Sequence, residues 1–172
     1  MIDFNHGVAL RKIYEEDLEN LRYWRNDIAI RRWSRQSDLI SETDQKKWFA
    51  KQNDDPSTLM YVVTDTNKTN HGVVGFSSYS PVHRSAEFSI YIRPDHQKNG
   101  VGKQAMKTLL DHGFKNLNLH SIWGESFFGN PAMKLFRGLG FQDEGLRRQC
   151  YFKDGKYHDC HVFSILESEW KI

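Results

Sequence analysis

Gln97-Lys98-Asn99-Gly100-Val101-Gly102 is the stretch whose reading decides the fold. It follows Ala86-Glu87-Phe88-Ser89-Ile90-Tyr91-Ile92, which reads as a strand. It opens a segment that reads as a helix, Lys103 to Leu117. A strand, a glycine-bearing turn and a helix start make an anion cradle. Glycine has no side chain to keep a ligand away and tolerates unusual dihedrals. The first N–H groups of a helix lack partners inside it, and the helix dipole adds positive potential there. Together they suit a phosphate or pyrophosphate. Lys98 and Lys103 add charge beside the turn. A Q-x-x-G-x-G string by itself also fits a plain strand-to-helix turn, so the flanks must decide.

Further along stands Glu125-Ser126-Phe127-Phe128-Gly129-Asn130-Pro131-Ala132-Met133-Lys134-Leu135-Phe136-Arg137-Gly138-Leu139-Gly140-Phe141. A strand, an Asn, a short helix and Leu-Gly-Phe in that order resemble the second signature of the Gcn5-related N-acetyltransferases. The turn from Gln97 to Gly102 resembles their first signature, which holds the pyrophosphate of coenzyme A. The likeness spans nearly the whole chain and is strongest from Arg84 to Trp170. It implies an α+β fold (an α/β sandwich) in a single domain, residues 1–172, with a mixed central sheet and helices on both faces. It also implies acetyl-CoA as cofactor and a splay between the fourth and fifth predicted strands for the pantetheine arm. The implied cofactor residues are Ile92, Arg93, Gln97, Lys98, Asn99, Gly100, Val101, Gly102, Lys103, Asn130 and Phe136.

Bulk properties agree. The 172 residues suit one domain, and a chain of that size buries about 70% of its unfolded surface, enough to fold without disulfide or metal. A formal net charge of +2 gives no argument for nucleic acid. No apolar run reaches a membrane span, and the start, Met1-Ile2-Asp3-Phe4-Asn5-His6, lacks the pattern of a signal peptide. A cytoplasmic enzyme with a small-molecule partner is expected, with a homodimer left open. The histidines are scattered and the two cysteines match no zinc spacing, so no metal is expected. Asp154-Gly155 reads as a type I′ hairpin loop. That register pairs Cys150 with Asp159 and Gln149 with Cys160, which puts the two cysteines on opposite faces.

The remaining elements come in mixed order. Val8 to Ile13 reads as a strand and Glu15 to Asn26 as a helix with acidic residues at its positive end. Ser41-Glu42-Thr43-Asp44 reads as a cap for a helix running to about Gln52. Leu59 to Thr64, Gly72 to Tyr79 and His120 to Phe127 read as strands, and Pro131 to Gly138 as a short helix. Such an order implies a mixed sheet covered by helices.

Acetyl transfer to an amine needs a proton acceptor, a donor for the oxyanion and, for the leaving thiolate, an acid. Glu87 matches the position of the general-base glutamate in the histone-acetylating branch of the family. Glu125 is the second candidate, on the next strand. Both also read as ordinary sheet glutamates, Glu87 within reach of Arg84 or Arg93. By resemblance Asn130 bonds the pantetheine arm; it also reads as a cap for the helix after it. The position that commonly carries a tyrosine acid is Phe136, which has no proton to give. Tyr91, Ser126 and Tyr151 are conceivable substitutes, and a thiol of pKa about 8.5 also leaves tolerably without help. This departure keeps open a second class, a coenzyme A-binding module without catalysis.

The family resemblance implies that the acceptor site falls to the N-terminal third. Leu21 to Ser41 holds five arginines against two aspartates. Arginine forks suit phosphate oxygens, and aromatic faces suit a base or sugar. Trp24, Arg25, Arg31, Arg32, Trp33 and Tyr91 are the candidate acceptor residues, with a solvated basic helix face as the plainer reading. Trp24-Arg25-Asn26, Arg31-Arg32-Trp33-Ser34, Ile40-Ser41, Gly155-Lys156-Tyr157-His158-Asp159 and Ser164-Ile165-Leu166 resemble the amino-sugar N-acetyltransferases of pseudaminic acid biosynthesis. A nucleotide-linked amino sugar is therefore the expected acceptor. Arg84 to Phe163 also resembles spermidine N-acetyltransferases, but residues 28–37 contain no carboxylate to hold a polycation. The ribosomal-protein N-terminal acetyltransferases share the layout.

Overall fold

The computed structural model describes residues 1–171. Eight strands form one sheet in the order β1-β2-β3-β4-β5-β6-β8-β7. They are β1 (Ile2–Asp3), β2 (Ala9–Lys12), β3 (Leu59–Thr64), β4 (Asn70–Ser80), β5 (Ser85–Ile92), β6 (Ser121–Phe127), β7 (Gln142–Lys153) and β8 (Lys156–Leu166). All neighbours run antiparallel except β5 and β6. The helices are α1 (Leu18–Asn26), α2 (Ile28–Arg31), α3 (Glu42–Asp54), α4 (Val101–Asp111) and α5 (Met133–Gly138).

The period of two along the central strands builds a core on each face. Val63 and Val74 join Leu10, Phe76, Met106, Leu109 and Phe163 in the larger core, under α4 and α5. Their neighbours Val62 and Val73 turn the other way, to Leu21, Trp24 and Ile30 of α1 and α2. The expected sandwich with helices on both faces is what the chain adopts.

Local chemistry accounts for the element ends. Ser41 accepts from the Asp44 amide at 3.1 Å while Asp44 accepts from the Ser41 amide at 3.3 Å, a reciprocal cap for α3. The long helix expected from Lys103 to Leu117 is α4 followed by one π turn, His112–Asn116, where Leu117 N–H reaches His112 O. β1 and the single turn of α2 are too short to carry a periodic signal, and the sequence reading lacked both.

Two departures shape the site. Parallel pairing of β5 with β6 covers only Ser85↔Ser121, Ala86↔Ile122 and Glu87↔Trp123. Past Glu87, β5 pairs only with β4, and past Trp123, β6 pairs only with β8. This is the splay that the family likeness implied. Gly124 stands at its base, where an added Cβ would meet the Phe88 ring at 2.7 Å. The second departure is in the hairpin. Asp154 and Gly155 both have positive φ, as a type I′ loop requires. Tyr151 pairs with His158 and Phe152 with Tyr157, as read. Beyond Tyr151 the register breaks, and Cys160 pairs with Arg147 rather than Gln149. Gln149 takes φ 50°, and its N–H donates to the Asp159 carboxylate at 2.7 Å, which pins a bulge of extra residues. The expected pairings of Cys150 with Asp159 and of Gln149 with Cys160 are corrected accordingly, and the two cysteines are neighbours instead of lying on opposite faces. Both cysteines are free thiols.

Candidate active site

The glycine turn is built as an anion cradle. Gly100 caps α4 with φ 82° and ψ −12°, a left-handed conformation that suits glycine. Lys98 is also left-handed, at φ 64°. Among the described residues, the amides of Lys98, Asn99, Gly100, Val101 and Gly102 donate to no backbone acceptor, because the first inward bonds are Lys103 N–H and Gln104 N–H to Gly100 O. A Cβ on Gly100 would meet nothing within 4 Å, so the space before these amides is open. Those free amides at a helix start fit a pyrophosphate. Gln97 does not point at that space. Its side-chain amide donates to Ile92 O at 2.9 Å and ties the turn to the end of β5. Arg93 is likewise committed, forked onto Asp95 at 2.7 and 2.6 Å and lying 5.4 Å from the Trp24 ring.

The splay leads from this turn down to Glu87. The inner edges of β5 past Glu87 and β6 past Trp123 carry peptide groups without a strand partner, suited to an amide-bearing arm. Asn130 closes the far wall. Its Nδ2 donates to Ser126 Oγ at 2.9 Å and its Oδ1 accepts from Ala132 N–H at 3.0 Å, which braces the turn leading into α5; the N-cap position itself is Ala132, a correction to the expected cap. Phe136 lies in a cluster with Phe88, Phe141 and Phe163, its ring stacked on Phe163 at 5.2 Å. The sequence departure from tyrosine is thus absorbed by the core.

Glu87 and Glu125 are joined through other side chains. Arg35 Nη2 donates to Glu87 Oε1 at 2.5 Å, and Arg35 Nη1 donates to the Tyr151 hydroxyl at 3.3 Å. Tyr151 in turn donates to Glu125 Oε2 at 3.0 Å. Arg147 closes the chain with an ion pair to Glu125. Carboxylate, guanidinium, phenol, carboxylate and guanidinium follow one another across the mouth of the splay. Both glutamates are largely sheltered, with side chains 9% and 8% exposed. The bulge in β7 is what sets Arg147 opposite Cys160 and within reach of Glu125.

Of the substitutes considered for the missing acid, Tyr91 is disfavoured. Burial pushes its phenol well above the ordinary range, with Arg25 opposing only in part. Burial also pushes the Cys160 thiol up to about 12, with the neighbouring Cys150 adding to the effect, so Cys160 offers no thiolate at neutral pH. Among the described residues no group of His, Cys, Asp and Glu is placed to hold a metal ion.

The structure divides the expected acceptor residues. Trp24 is buried in the second core and serves packing there, not a ligand-facing wall. Arg32 lies over the Trp33 ring at 5.3 Å, and Arg31 donates to Ser37 O at 3.2 Å. Arg25 and Tyr91 do meet, 5.6 Å apart, and line a cavity of 210 Å³ with Ile40, Asp44, Gln45 and Trp48. Beside it, sharing Gln45, is a cavity of 320 Å³ lined by Glu15, Glu16, Glu19 and Glu42 together with Arg22 and Lys46. Sequence reasoning missed three further residues. Arg35 was one arginine among five; Arg147 and Lys153 carried no local signal. Lys153 is only 4% exposed, and its ammonium donates to the carbonyls of Arg31 at 2.5 Å and Ser34 at 2.7 Å. It fastens the turn that carries Arg35 to the end of the hairpin.

Comparison with known proteins agrees with this geometry. The chain is 30% identical over 167 residues to a spermidine N(1)-acetyltransferase of Vibrio cholerae, covering 96% of each chain. It is 28% identical to the spermidine N(1)-acetyltransferase of Escherichia coli K12, covering 96% of this chain and 89% of that one. The crystal structure of the Vibrio cholerae spermidine N-acetyltransferase in complex with CoA and spermine superposes with a TM-score of 0.90 at 31% identity, over 96% of this chain and 98% of that one. Residues 8–142 match the model of the acetyltransferase (GNAT) domain. The free amides before α4, the splay at Glu87 and these likenesses converge: the chain belongs to the GNAT acetyltransferases and is an acetyl-CoA-dependent N-acetyltransferase.

Proposed function

We propose that the acceptor is a polyamine of the spermidine class, acetylated on a primary amine. The observation that carries this is the cation already seated on Glu87, at the point where β5 and β6 part. A carboxylate so placed suits an ammonium group. The full-length likeness to spermidine N-acetyltransferases supports the same reading. This displaces the amino sugar expected from sequence. The objection to a polycation was the lack of carboxylates in residues 28–37. The fold supplies them from elsewhere, as Glu15 and Glu16 of the turn before α1, Glu19 of α1 and Glu42 of α3 wall one cavity.

Acetyl-CoA supplies the acetyl group, gripped by the amides of Lys98 to Gly102. The acceptor amine arrives protonated, and Glu87 takes its proton directly or through one water. The neutral amine then faces the thioester within the splay. Unpaired peptide N–H groups on the inner strand edges are placed to steady the negative charge that develops. Because Phe136 offers no proton, the departing thiolate would be protonated by solvent, into which the amine nitrogen sheds its second proton, tolerable for a thiol.

A nucleotide-linked amino sugar is the second reading. Arg25 favours it, because it faces the 210 Å³ cavity beside two aromatic rings and its Nε is buried without a partner. The two readings separate in one assay, thiol release with spermidine and with a nucleotide-linked 4-amino sugar under identical conditions. Efficient turnover of spermidine supports the proposal. Turnover of the sugar alone overturns it.

A further inference from the structure

We propose that Arg35 is a built-in stand-in for the acceptor's ammonium group, and that every productive acceptor must displace its guanidinium from Glu87. The inference rests on the reading of Glu87 as the residue that receives the amine.

The argument starts from what holds Arg35. Its main chain is tied on both sides. Lys153 bonds the carbonyls of Arg31 and Ser34. Asn26 exchanges two hydrogen bonds with the Ile40 backbone, at 2.9 and 2.8 Å, and Gln36 bonds Arg25 and Asp38. The backbone is therefore held, while the side chain is 48% exposed, so that solvent lies beside it to receive the guanidinium once its bonds to Glu87 and Tyr151 are exchanged. Its contacts are those an acceptor would use. Nη2 sits on Glu87 Oε1, and the guanidinium lies 5.9 Å from the centre of the Tyr151 ring, a carboxylate and an aromatic face together. A sheltered carboxylate without a cation is costly, so the resting enzyme needs such a partner. Replacing it with an acceptor ammonium exchanges one cation for another and leaves the local charge unchanged. The exchange favours protonated amines over neutral ones. Arg35 is thus a specificity-determining residue that sets how strongly an amine must bind to enter.

Truncation should make entry easier. A hydrogen bond between charged groups is commonly worth ten- to a hundredfold in affinity, and the half-exposed position of Arg35 puts it at about tenfold. In R35A the Michaelis constant for spermidine should fall about tenfold, with that for acetyl-CoA unchanged. The vacated space should also admit a free guanidinium. Methylguanidinium should therefore inhibit R35A competitively against spermidine and leave the wild type unaffected at the same concentration. If R35A does not fold, R35Q carries the same test of the Michaelis constant. An acceptor Michaelis constant that is unchanged or raised, or equal inhibition of both proteins, overturns the inference. A wild type that acetylates only the nucleotide-linked sugar overturns the polyamine reading instead; the same fall is then required with that sugar as acceptor.

Discussion

The cofactor side and the acceptor side of this molecule are built in opposite ways. The cofactor side is continuous in the chain. β5, the turn through Gly100 and α4 follow one another directly, and each free amide belongs to a neighbour of the last. The acceptor side is assembled from afar. Arg35 meets Glu87 across 52 residues and Tyr151 across 116. Lys153 reaches Arg31 across 122. A contiguous site depends on backbone conformation, so glycine substitutions should break it. A composite site depends on side-chain charges held by other elements, so it should respond to substitutions far away in sequence.

The largest effect is expected at the point where the two sides meet. E87Q should lower turnover by about 10²–10⁴-fold, the usual cost of losing a general base, with acetyl-CoA affinity nearly intact. Steady-state kinetics beside an acetyl-CoA titration checks both halves. On the cofactor side, G100V forces a branched side chain into φ 82° and fills the open space before the amides. Acetyl-CoA affinity should fall by at least about tenfold, read by calorimetry on folded protein. Gly102 has no such backbone strain, and its Cβ would make only ordinary contacts at 3.6 Å with Ile92 and Leu135. G102V should therefore weaken acetyl-CoA less than G100V.

On the acceptor side, K153M removes both donors that hold the turn before Arg35. The acceptor Michaelis constant should change by several-fold, about what one or two modest hydrogen bonds supply, and that of acetyl-CoA should stay put. An equal change in both would mean that the two sides are not separable.

The smallest effect lies outside both sides, in stability against pH. Burial pushes the Asp111 carboxyl up, but Trp170, His6 and Lys115 together outweigh it and hold it below the usual carboxylate range. A carboxyl depressed in the folded state contributes stability above its unfolded pKa of about 3.9 and loses it as pH falls through the folded value. D111N should therefore cost about 2 kcal/mol near neutral pH. The gap to wild type should close as the pH drops below 4, measured by denaturant unfolding.

The same contrast explains what the sequence revealed. The Gly100 turn, the Ser41–Asp44 cap and the Asp154-Gly155 loop were legible because each is set by residues a few positions apart. Glu87 and Glu125 were legible as candidates through family likeness. What joins them was not. The bulge at Gln149 depends on the Asp159 side chain, and nothing local marks Arg35 out from Arg25, Arg31 or Arg32. Trp24 illustrates the converse. An aromatic residue among arginines suggested a ligand platform, and helix α1 turns it into the core. The acidic cavity was invisible for the same reason, since Glu19 and Glu42 approach only when α1 and α3 pack.

The division of labour between the two sides has one direct test: acetyl-CoA titrated by calorimetry into E87Q and G100V side by side. E87Q should bind it as the wild type does, and G100V should bind it at least about tenfold more weakly. Wild-type affinity in G100V, or lost affinity in E87Q alone, would contradict the placement of the cofactor before α4 and of the acceptor chemistry at Glu87.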